Sequence, residues 1–80
     1  MPKWRGRPVR FSRHAAEEAV NEDISHNEIL ECLENGIKLD RKRKAGVFEM
    51  ARGFGNHAIK VVVSDAKDNW TVITVMRFER

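Results

Sequence analysis

The run AIKVVVSDAKDNWTVITVMRF, residues 58–78, leaves few ways for this chain to fold. Two segments rich in Val, Ile, Thr, Trp and Phe, Ala58–Ser64 and Trp70–Phe78, flank the polar stretch Asp65–Asn69. Such residues suit a pleated, half-buried surface. A short polar loop between them predicts a β-hairpin. Val61, Val62 and Val63 are apolar at successive positions, which predicts a strand covered on both faces. This hairpin is therefore expected at the centre of the sheet.

The rest of the chain is amphipathic. Residues 1–10 hold both prolines and have no periodicity, so they read as a basic arm, with an edge strand at Val9–Phe11. Trp4 is expected to fold back onto the core. Ser12 is a candidate N-cap for a helix over Arg13–Glu22, with Ala15, Ala16, Ala19 and Val20 as its apolar stripe. Ser25-His26-Asn27-Glu28 fits a capping box, with Ile24 and Ile29 as a hydrophobic staple. The helix it starts carries Ile29, Leu30 and Leu33 and ends at Asn35-Gly36, where Gly36 suits a left-handed C′ position. Ile37–Lys42 alternates, with Ile37 and Leu39 expected on the inner face, and Val47–Arg52 places Phe48 and Met50 on one face.

The order is α-α-β-β-β-β, within one domain over residues 1–80 whose core spans 11–78. Short connections predict an antiparallel meander. The expected fold is α+β, with two N-terminal helices on one face of a four-stranded antiparallel sheet. Its other face is left open to present polar groups to a ligand.

Charge is segregated along the chain. Lys3, Arg5, Arg7, Arg10 and Arg13 stand in the first 13 residues without an acid. Residues 14–37 hold seven acids and no Lys or Arg, and Lys38–Lys44 is basic again. One basic and one acidic surface follow, and the basic one suits the phosphates of nucleic acid; surface ion pairing accounts for the same pattern equally well. Cys32 is the only cysteine, which excludes an intrachain disulfide. No run is apolar enough to span a membrane, and the basic N-terminus lacks the apolar region of a signal peptide, so a cytoplasmic location is expected. The absence of Gln beside many ion-forming side chains fits a thermophile.

Gly53-Phe54-Gly55-Asn56-His57-Ala58 matches the dinucleotide fingerprint by letter, but a strand is expected after it where the pyrophosphate needs a helix. The glycines are assigned to a loop. His14, His26, His57 and Cys32 lack metal-binding spacing, so neither a metal nor another cofactor is expected. Arg41, Lys42, Arg43 and Lys44 form a basic run suited to phosphates or to a solvated hairpin edge.

Ser12-Arg13-His14-Ala15, Ile24-Ser25-His26-Asn27-Glu28-Ile29 and Ile73-Thr74-Val75 together give the chain a family likeness. Over Phe11–Phe78 it resembles a domain-of-unknown-function family of short prokaryotic proteins allied to RelE/ParE-type toxins. The resemblance implies a RelE/ParE-like fold and a toxin-type, metal-independent endoribonuclease or its degenerate relative. His14 and Thr74 match the family's polar motif positions. Glu18 stands where relatives often carry an arginine, and the chain lacks the C-terminal tyrosine of many toxins.

Cleavage at a 2′-hydroxyl needs an acid/base group and cations at the phosphate. On that expectation His14 or His57 is the acid/base. Arg52, Lys60 and Arg77 join the basic run at the phosphate, and Thr74 positions it. Two other classes remain open: a non-catalytic module binding RNA or the ribosome, and a protein-interaction module with an antitoxin-like partner. A homodimer is compatible with each.

Overall fold

The computed structural model describes residues 3–39 and 44–79. Its elements are β1 (Lys3–Trp4), β2 (Arg7–Phe11), α1 (Arg13–Asn21), α2 (His26–Asn35), β3 (Ile37–Leu39), β4 (Val47–Gly53), β5 (His57–Asp65) and β6 (Trp70–Glu79). They form one six-stranded sheet in the order β1-β2-β6-β5-β4-β3. The expected four-stranded antiparallel sheet is overturned. The supposed N-terminal arm supplies two further strands, and β2 runs parallel to β6, with Val9 opposite Trp70. The helices lie in the crossover joining β2 to the rest of the sheet, so they do not open the chain.

The sheet curls into a half-barrel. Trp4, on one edge strand, reaches Phe48 on β4, with ring centroids 6.3 Å apart, although three strands separate β1 from β4. Strand twist accumulates across a sheet and lets distant strands face each other. The central hairpin forms as expected. β5 and β6 pair from His57–Glu79 to Asp65–Trp70, with a bulge between Val62 and Val63. Val61, Val62 and Val63 are all at most 1% exposed.

The core joins Val9, Met50, Ile59, Val61, Val63, Val72 and Val75 of the sheet to Ala15, Ala19, Ile29, Cys32 and Leu33 of the helices. Val20, expected in the α1 stripe, is 80% exposed; the small side chains of Ala15 and Ala19 are the ones against the sheet. The capping box of α2 is complete, and both staple residues, Ile24 and Ile29, are buried.

Gly36 is extended rather than left-handed. Its requirement is space: a Cβ there would meet the Cys32 carbonyl oxygen at 2.2 Å and that of Ala51 at 2.7 Å. In β3 the expected facing holds only in part, with Leu39 half-buried. Ile37 is 67% exposed, while the Lys38 ammonium lies over the Phe48 ring. The other face of the sheet is not open as expected, because Glu49 and Val62 are buried there.

Candidate functional site

The residues expected to act together fall into separate places. His14 lies on the first turn of α1, exposed, with Nε2 3.2 Å from Glu18 Oε1. The same oxygen accepts the Thr74 hydroxyl at 2.5 Å and the Val75 N–H at 3.2 Å. α1 runs beside β6 beyond the end of β2, where β6 has no strand neighbour on that side. There Ser12 donates its N–H to the Val72 carbonyl and its hydroxyl to that of Ile73. Glu18 takes the next donor along. The helix thus satisfies a strand edge with side chains, as buried backbone groups require. Glu18, read from the sequence only as a departure from the family pattern, is the residue that joins His14 to Thr74.

His57 is elsewhere. It opens β5 opposite Glu79, whereas Thr74 pairs with Val62, five residues or about 17 Å further along the strand. The His57 Nε2–H donates to Glu28 Oε2 at 2.8 Å, Nδ1 is 2.8 Å from Asn56 Oδ1, and the Phe54 ring stacks on the imidazole. Glu28 is the acidic member of the capping box. Its carboxyl is held below the ordinary carboxylate range, first by the Ser25 backbone N–H, which outweighs the opposing effect of burial, and further by hydrogen bonding to His57. His57 is therefore a link between the start of α2 and the β4–β5 loop.

The cations assigned to phosphate divide likewise. Arg52 pairs with Glu31 at 3.4 Å. It borders a depression of 280 Å³ together with Gly36, Ile37 and Ala58. Lys60 pairs with the buried Glu49 at 3.2 Å. Arg77 donates to Glu79 at 2.8 Å and to the Asp23 carbonyl at 3.2 Å. Lys44 is exposed, and Arg41, Lys42 and Arg43 lie outside the described residues. Cys32 is buried, and its thiol is pushed up to about 12 by burial, which leaves it protonated and poorly nucleophilic. No group of His, Cys, Asp and Glu suited to a metal ion occurs among the described residues.

A different set of cations does come together. β2 and β6 begin, and β3 and β5 end, at one end of the sheet, where β4 also starts. The β1–β2 turn brings Arg5 there, the segment before β4 brings Lys44, and the β5–β6 loop brings Lys67; all three are exposed. Lys3, also exposed, pairs opposite Pro8 beside them. Arg7 is fixed at this end, donating to Asp65 at 2.7 Å and to the Lys67 carbonyl at 2.6 Å while its guanidinium lies 3.7 Å from the Trp70 ring centroid. The Arg7 hydrogen bond is the main reason the Asp65 carboxyl sits below its ordinary range. The charge runs in the sequence signalled this surface, but only the parallel β2–β6 pairing assembles it.

The family described as a domain of unknown function, DUF4258, matches residues 11–77. The chain belongs to this family. No curated protein and no solved structure matches it. The DUF4258 region includes the Glu18 and His57 clusters, Lys44 and Lys67, but leaves β1 and most of β2 outside. Lys3, Arg5 and Arg7 therefore lie outside the matched region. Among the described residues no helix is long and apolar enough to cross a membrane.

Proposed function

We propose that this DUF4258 protein binds RNA through the basic end of its sheet and does not cleave it. The observation that carries this reading is the gathering of Lys3, Arg5, Lys44 and Lys67 around the Arg7–Asp65 pair at one end of the sheet. Cations clustered on one face attract phosphates and give affinity that falls steeply with salt. Of the run Arg41–Lys44, Lys44 is the described residue, and it stands on this surface. The resemblance to RelE/ParE-type toxins favours RNA as the nucleic acid.

Geometry favours binding over cleavage. A general acid/base and its phosphate-holding cations must meet at one reacting group. Here His14 and Thr74 are engaged by Glu18, His57 by Glu28, Arg52 by Glu31 and Lys60 by Glu49. Each candidate partner already faces a carboxylate, which also repels a phosphate.

The test incubates the protein with total RNA at low and high salt, beside a Lys3→Glu, Arg5→Glu, Lys44→Glu, Lys67→Glu variant and a His14→Ala, His57→Ala variant. Salt-sensitive binding without cleavage is expected. It should be lost in the charge-reversed protein and kept in the histidine variant. Cleavage that disappears with the two histidines would overturn the reading in favour of a metal-independent ribonuclease. Binding unaffected by charge reversal would place the RNA elsewhere on the molecule.

A further inference from the structure

The basic end is built on aromatic rings, and their state limits what kind of RNA fits it. Trp4 and Trp70 are each 5% exposed and Phe48 is half-buried. The rings pack on one another, with centroids 4.6 Å apart for Trp4–Trp70 and 5.6 Å for Phe48–Trp70. The Trp70 Nε1–H donates to the Trp4 carbonyl at 2.9 Å. Each ring also carries a cation: Arg5 over Trp4 at 4.7 Å, Arg7 over Trp70 at 3.7 Å and Lys38 over Phe48 at 5.3 Å.

Proteins that hold single strands offer open aromatic faces to successive bases, or read splayed bases along their edges. An open aromatic face, the first of these devices, is absent among the described residues of this end. Its rings are buried under cations. Three of the cations are held: Arg7 by Asp65, the Lys67 carbonyl and Trp70, and Arg5 and Lys38 by the rings beneath them. Preorganised charges match a ligand whose phosphates are also held in fixed positions, and a base-paired helix provides that while hiding its bases.

We infer that the ligand of the basic end is duplex RNA, gripped by its phosphates and indifferent to sequence; this rests on the RNA-binding reading above. If Lys3, Arg5, Lys38, Lys44 and Lys67 each neutralise one phosphate, affinity falls about 500-fold between roughly 50 and 200 mM salt.

The experiment is fluorescence anisotropy with labelled RNA of about 20 nucleotides, long enough to span the footprint of a small duplex-binding domain. Two duplexes of unrelated sequence and the single strands that compose them are titrated in parallel. Tryptophan emission is followed as well, since Trp4 and Trp70 are the only tryptophans. The duplexes are expected to bind within about 3-fold of each other and at least about 10-fold tighter than the strands, without the emission quenching that base stacking produces. Single strands that bind as tightly as duplexes, or that quench the tryptophans, would overturn the duplex inference and leave RNA binding standing. Failure of every RNA to bind would overturn both.

Discussion

Glu18 shows how one side chain decides what its neighbours can do. One oxygen accepts from the Thr74 hydroxyl and the Val75 N–H, with His14 against the same atom. Hydrogen bonds to a charged group are worth roughly 1.5–3 kcal/mol each when partly buried, whereas an exposed ion pair is worth at most about 1 kcal/mol. Glu18→Ala is therefore expected to cost roughly 2 kcal/mol in urea denaturation. His14→Ala, at an exposed position, should cost less than about 0.5 kcal/mol. Equal losses would mean that the contact with His14, and not the strand edge, is what Glu18 serves. The motif histidine and threonine were legible in the sequence. The residue that joins them was legible only as a mismatch, because a carboxylate four positions after a histidine on a helix looks like any surface pair.

Among the elements, α2 followed most closely from its own residues. The Ser25 hydroxyl accepts the Glu28 N–H at 3.1 Å, and Glu28 accepts the Ser25 N–H at 2.9 Å. These contacts span three residues, so they form wherever the chain later packs. They also give the start of α2 a dependence on acid. The Glu28 carboxyl is held below its ordinary value of 4.5 in the folded protein. Its contribution to stability is thus complete above that ordinary value and is lost as pH falls through the lower folded-state value. Glu28→Gln keeps an acceptor for the Ser25 N–H but removes the charge beside His57. Urea midpoints measured between about pH 6 and pH 3 should fall less steeply for this variant than for the natural protein. An unchanged slope would assign the acid sensitivity to other carboxylates, such as Asp65. By contrast, β3 has too few residues for its alternation to fix its faces. Neighbouring elements decided them: Ile37 is exposed, Leu39 is half-buried and the Lys38 ammonium lies over the Phe48 ring.

For the molecule as a whole, the decisive contacts join the chain's beginning to its end. Trp4 touches Trp70 and Phe48, and its carbonyl accepts from the Trp70 indole, 66 residues away. Truncating a buried tryptophan costs about 3–5 kcal/mol. That is a large share of the roughly 5–15 kcal/mol that holds a small domain folded. Trp4→Ala is expected to lower stability by about 4 kcal/mol, read from urea denaturation. A loss below about 1 kcal/mol would mean that β1 does not close the half-barrel.

The sequence by itself determined what contacts over a few residues can specify: the central hairpin, the capped second helix and the doubly covered valine strand. Tertiary structure alone decided the parallel seat of β2, the curl that brings Trp4 to Phe48, and the separation of His57 from His14 and Thr74. The physical reason is range. Caps, turns and alternation are settled between near neighbours, whereas strand order and the meeting of charged loops depend on which distant surfaces bury each other. Local pattern does not encode that choice.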